Sequence, residues 1–211
     1  MISLEELEQQ FDEAVPILFQ KDAVELIVKC YREAETIRDT YGIRNPVSWW
    51  HRPYVRRALI ESQLFELAER YTLQPQFKYT LNTLTPYLEI RAGNFVITES
   101  KVNAMGELPE KALFRTSNSS MNYCLYPDYE EATTDGLIYA ILSHIPEPRE
   151  PRPQHITFAF PDSGYSRVMY QIDLLARFFA LSDQTQVTET PVVNPTPALR
   201  QPGEHTGEAN S

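Results

Sequence analysis

The sequence predicts an α+β fold: three N-terminal helices packed beside a mainly antiparallel sheet, with one C-terminal helix. Three observations carry this. Apolar residues recur at helical spacing through about residue 71, with no strand signal between them. Short aromatic and β-branched runs follow, bounded by Pro, Gly and Asn. Helix and strand signals do not alternate, which separates α+β from a parallel α/β architecture.

Ser3-Leu4-Glu5-Glu6 is a capping box, in which the Ser hydroxyl meets the backbone N–H three residues on and the Glu reaches back. Leu4, Leu7, Phe11 and Ala14 continue at helical spacing, so the first helix covers about 4–14 and Pro16 closes it. Asp22-Ala23-Val24-Glu25 repeats the capping pattern and predicts the start of a second helix. Its stripe is Leu26, Ile27, Cys30, Tyr31, Ala34 and Ile37, with Gly42 at its C-terminal end. The stretch from Asn45-Pro46 through Trp49-Trp50-His51-Arg52 reads as a connector. A third helix follows from about Pro53 to Tyr71, since proline suits a first helical turn.

Strands are predicted at Phe77–Leu81, Tyr87–Arg91 and Phe95–Val102, with Ala92-Gly93-Asn94 as a hairpin turn and a brief further strand at Ala112–Arg115. Leu137–Ile145 and His155–Phe160 are the most apolar runs and read as central, paired strands. The segment between them carries Pro146, Pro148, Pro151 and Pro153, so it is expected to stay outside the ladder as a stiff protrusion. Ser163 opens a last helix to about Leu181, built on Val168, Met169, Ile172, Leu175 and Phe179. Residues 1–182 are thus expected to form one globular domain. Residues 183–211, rich in Thr, Pro, Gln, Glu and Gly, are expected to form a disordered tail.

Composition narrows the class. An apolar fraction of 42% and a charged fraction of 23% are those of a soluble globular chain. No run of apolar residues is long enough to span a bilayer, so no membrane partner is expected. Met1-Ile2-Ser3-Leu4-Glu5-Glu6 lacks the basic start and apolar stretch of a secretory signal, which predicts a cytoplasmic protein. Two distant cysteines, Cys30 and Cys124, agree with reduced thiols. A formal charge of −10 disfavours nucleic acid unless the basic residues are concentrated in one place.

The chemistry-bearing set is Glu89, Glu99 and Lys101. Side chains alternate along a strand, so Ile97, Glu99 and Lys101 share one face. Two carboxylates and a lysine on paired strands are suited to hold a divalent cation beside a scissile phosphate. The same residues also suit a hairpin with charges on its wet face. Glu89 followed by the apolar strand ending in Glu99-Ser100-Lys101 resembles the site of nucleases with a restriction-endonuclease-like core. Glu89 stands where that family more typically has an Asp after Pro. The resemblance implies a Mg²⁺-dependent nuclease with catalytic Glu89, Glu99 and Lys101, and a helix and strand downstream between Ser119 and Tyr139.

Other candidates have plainer readings beside their chemical ones. Phe160-Pro161-Asp162 puts an acid past an apolar strand, where it is a ligand carboxylate or, more simply, part of a strand-to-helix turn with Asp162 or Ser163 as the N-cap of the last helix. Tyr126–Glu131 reads as a solvated acidic turn. His144 and His155 fall near facing strand ends, and a buried, hydrogen-bonded imidazole is the plainer role. Trp49, Trp50, Arg52, Arg56 and Arg57 combine cations with aromatic faces, a pattern for nucleic-acid binding or for arginines packed over rings. No phosphate loop, dinucleotide fingerprint or nucleophile elbow occurs, so no cofactor is expected. The leading expectation is an intracellular, non-catalytic interaction or regulatory protein with a protein partner. The nuclease and a nucleic-acid binder acting through Trp49–Arg57 are the alternatives.

Overall fold

A computed structural model describes residues 3–42, 47–80, 85–125, 136–147 and 150–179. Helix α1, Leu4–Ala14, starts on the expected capping box. Glu6 N–H donates to Ser3 Oγ at 3.1 Å, and Ser3 N–H donates to Glu6 Oε2 at 2.7 Å. Helix α2, Ile17–Thr40, begins five residues before Asp22, with Pro16 as its N-cap. Proline has no N–H to leave unpaired, so one residue ends α1 and opens α2. Asp22 is internal to the helix and accepts from the Tyr71 hydroxyl at 2.8 Å.

Helix α3, Val47–Arg70, also begins early, so the expected connector is helical from Val47 through Arg52 and Pro53 lies inside the helix, while Asn45 and Pro46 lie outside the described residues. The side chains of Trp49 and Trp50 lie outside the described residues. A six-stranded sheet follows in the spatial order β1-β2-β3-β4-β5-β6. Its strands are β1 Gln74–Tyr79, β2 Pro86–Ala92, β3 Phe95–Lys101, β4 Ile138–Pro146, β5 Pro153–Pro161 and β6 Val168–Asp173. All neighbours pair antiparallel except β3 and β4. A parallel pair needs a crossover. It contains helix α4, Leu113–Ser119, and a 3-10 segment, Ser120–Leu125. Helix α5, Leu174–Phe179, ends the described chain, which is α+β.

Three sequence expectations change here, each for a physical reason. Residues 112–115 do not form a strand, because β3 is already paired on both edges and the segment folds over the sheet as α4. The last helix starts only at Leu174: Val168, Tyr170 and Ile172 fit a strand period as well as a helical one, and this stretch pairs with β5. Asp173 rather than Asp162 caps it, accepting from Ala176 N–H at 3.0 Å. Pro146 and Pro153 do join the ladder, as its paired end residues, and Glu147 N–H donates to Arg152 O at 3.0 Å beyond them. Pro148, Tyr126–Glu131 and the predicted tail lie outside the described residues.

The strands are buried on two faces. Leu88, Phe95, Ile97, Ala140, Leu142, Phe158 and Phe160 pack with Leu7 and Phe11 of α1, Ile27 and Tyr31 of α2 and Ile60 and Leu64 of α3. Phe11 is central, with ring centroids 5.0 Å from Phe95, 4.7 Å from Phe158 and 5.5 Å from Phe160. The other face carries a smaller cluster of Val96, Tyr139, Ile141 and Tyr165. At the β2–β3 turn, Gly93 has φ +56, and a Cβ there would stand 3.2 Å from Ala14 Cβ of α1. Glycine is needed twice over, for the turn and for the helix against it. No helix among the described residues is long and apolar enough to cross a membrane.

Candidate functional site

Register decides which of the sequence-predicted residues meet. A three-residue turn over 92–94 would set Glu89 opposite Ile97, on the face of Glu99. The observed turn has two residues, pairing Ala92 with Phe95 and Glu89 with Thr98. One residue of slip flips every side chain to the other face. Glu89 therefore lies on the face away from α1–α3, where its Oε1 accepts from Lys78 Nζ at 2.5 Å and from Arg91 Nε at 3.3 Å. The β2 residue on the face of Glu99 is Leu88, a core side chain. Glu89 does not converge with Glu99.

Lys101 does. Strand β4 runs parallel to β3 and sets His144 beside Lys101. Helix α2 brings Tyr31 over them, and α3 brings Arg56. The result is a buried chain of three groups: the Tyr31 hydroxyl is 2.6 Å from His144 Nδ1, and His144 Nε2 is 2.5 Å from Glu99 Oε1. Burial pushes the Tyr31 phenol well above its ordinary range against the pull of Arg56, so it stays a donor. A neutral imidazole with its proton on Nε2 satisfies both neighbours, a tautomer assigned from the network. The Arg56 guanidinium lies 3.8 Å over the Tyr31 ring.

Beside this chain opens a cleft of about 320 Å³, lined by Tyr54, Arg56, Arg57, Glu99, Lys101 and Arg115 among others. Arg57 is held by Glu61 through Nε at 3.1 Å and by the Pro86 carbonyl at 2.9 Å. Arg115 donates to Ser100 Oγ at 2.9 Å and to Glu110 O at 2.8 Å. Burial raises the Glu61 carboxyl above its ordinary range; the charge of Glu99 adds to this and Arg57 opposes it. The Lys101 ammonium has no partner among the described residues. Three buried polar atoms at the cleft also have none: Glu99 Oε2, Arg56 Nε and Arg115 Nε.

The remaining candidates do not line this cleft. Asp162 accepts from Ser166 N–H at 2.5 Å and Arg167 N–H at 3.2 Å, tying the turn into β6. Arg52 pairs with Glu35 at 2.7 Å. His155 stands opposite Ile145 on the paired strand and outside the His144 chain. Sequence reading missed Tyr31, which looked like one more member of an apolar stripe, and Arg115, hidden in a segment read as strand.

Glu89 faces away, Leu88 occupies its place, and among the described residues no three His, Cys, Asp or Glu side chains form a metal-binding group. Compared with protein-family models, curated proteins and solved structures, the chain gives no match in any of the three.

Proposed function

We propose that this protein is a non-catalytic binder of nucleic acid, held in the cleft beside the ends of β3 and β4. The observation that carries the reading is charge. Arg56, Arg57, Lys101 and Arg115 line one cleft against Glu99 and Glu110, on a chain whose net charge is −10. A local cationic site on an acidic protein attracts phosphate where the rest of the surface repels it. Tyr54, 72% exposed at the rim, offers a ring for a base to stack on. The basic segment singled out in the sequence thus contributes Arg56 and Arg57, joined by residues from the hairpin and α4. A cytoplasmic setting fits the buried thiol of Cys30.

Fluorescence anisotropy with labelled single strands tests this. Affinity should fall between about 50 and 200 mM salt, because each neutralised phosphate releases counterions. Lys101→Ala should weaken binding to all sequences and reduce the salt slope by about one. Absence of binding at low salt overturns the proposal. Mg²⁺- or Mn²⁺-dependent strand cleavage that is lost in Glu99→Ala overturns its non-catalytic half in favour of the nuclease.

A further inference from the structure

The cleft displays more than an anion site. Arg56 Nε, Arg115 Nε and the Lys101 ammonium are donors seeking acceptors. Glu99 Oε2 is the reverse, an acceptor seeking a donor. Glu99 is only 7% exposed, and its other oxygen is taken by His144. A buried charged acceptor without a donor is costly, and native structures satisfy nearly all such groups. A ligand that completes this cleft must therefore present an anion and a hydrogen-bond donor within one short span.

Single-stranded DNA offers phosphate here but no backbone donor. RNA offers both, because the ribose 2′-hydroxyl lies next to the 3′-phosphate and is what distinguishes RNA from DNA at a given site. Base amino groups are donors too, but they occur equally in DNA and only on some bases. The cleft volume of about 320 Å³ is at the small end of ligand pockets, suited to one nucleotide unit rather than a duplex.

Resting on the binding reading above, we infer that the cleft selects RNA, with the phosphate held by Lys101, Arg56 and Arg115 and the ribose 2′-hydroxyl donating to Glu99 Oε2. Arg56 is itself only 7% exposed, so both halves of the recognition are fixed in place before the ligand arrives. His144 and Tyr31 act as positioning residues: His144 occupies Oε1 and is itself held by the Tyr31 hydroxyl, which leaves Oε2 as the oxygen without a donor.

The test compares binding of one 12-nucleotide sequence as RNA, as DNA and as 2′-fluoro RNA, which keeps the size at the 2′ position but has no proton to donate. RNA should bind about tenfold more tightly than either, the loss expected when a buried acceptor goes without its donor. In Glu99→Gln, His144 Nε2–H keeps the amide oxygen and the NH₂ faces the cleft, so the preference should vanish while the salt slope stays. Equal binding of RNA, DNA and 2′-fluoro RNA, with a normal salt slope, overturns this inference and leaves the binding reading standing. Absence of binding to all three overturns both. An RNA preference that survives in a folded Glu99→Gln overturns the role of Glu99. Should that variant fail to fold, the 2′-fluoro comparison on the unaltered protein decides alone.

Discussion

Glu89 and Glu99 stand on neighbouring strands of one hairpin, both buried, and the two faces of the sheet treat them in opposite ways. Glu89 faces a side rich in closed polar pairs. Lys78 and Arg91 neutralise it, Thr98 meets the Tyr139 hydroxyl at 2.7 Å, and Ser143 meets Thr157 at 2.7 Å. Glu99 faces the helices, where the cluster is larger and more apolar, and among the described residues only one of its oxygens has a partner. A buried carboxylate neutralised by two cations specifies a structure; one that keeps a buried oxygen without a donor beside a cleft suits a ligand. On the proposed reading, the same residue type therefore has a structural role on one face and a binding role on the other.

The largest expected effect separates the two cores. Phe11→Ala removes the ring that touches Phe95, Phe158 and Phe160, and should cost about 3–5 kcal/mol in denaturant unfolding. The counterpart across the sheet is polar. Asn122 accepts from Tyr139 N–H at 2.6 Å and donates to the Tyr139 and Pro161 carbonyls at 3.0 and 2.7 Å. Asn122→Ala leaves all three unpaired and should cost about 2–3 kcal/mol. A loss under about 1 kcal/mol would mean that the second face does not depend on this bridge.

Glu89→Gln and Glu99→Gln test the contrast directly. Glu89→Gln gives up charge-assisted bonds to two half-exposed cations and should cost about 1 kcal/mol after screening, with nucleic-acid affinity unchanged. Glu99→Gln should do the reverse, altering selectivity more than stability. Identical behaviour of the two variants in melting and binding removes the distinction between the faces.

The smallest effects lie in pH dependence, and the signs differ. Burial, with the Glu99 charge adding to it, holds the Glu61 carboxyl above its unfolded value of about 4.3. Its contribution is most favourable below that value and is lost as pH rises through the folded pKa. Glu61→Gln should therefore raise the melting temperature at pH 7 and change it little near pH 4. Asp162 is opposite: burial alone would raise it, but the hydrogen bonds from Ser166 and Arg167 outweigh burial and lower it. Its contribution is present above about pH 3.9 and fades as pH falls through the folded value. Asp162→Asn should lower the melting temperature at pH 7, with the deficit closing in acid. Parallel pH–melting curves for the two variants would contradict this assignment.

By itself the sequence determined the α+β class, the capping box at Ser3, helix α1 and the positions of most strands. These follow from periodicity and local hydrogen bonding, which act over a few residues. It did not determine where α2 and α3 begin, nor that residues 168–173 form a strand, because a proline between helices and an apolar spacing of four fit two local structures equally well. It placed Glu99 and Lys101 on one face of β3 correctly, since alternation within a strand is local. Whether Glu89 joins them depended on the parity of a turn, and Ala92-Gly93-Asn94 permits two lengths. Tyr31, Arg56, Arg115 and His144 come from α2, α3, α4 and β4, so only tertiary packing could bring them to Glu99. Their partners then made Glu99 differ from Glu89, two cations for one and an imidazole for the other, because the worth of a carboxylate is set by the groups around it, which local sequence does not record.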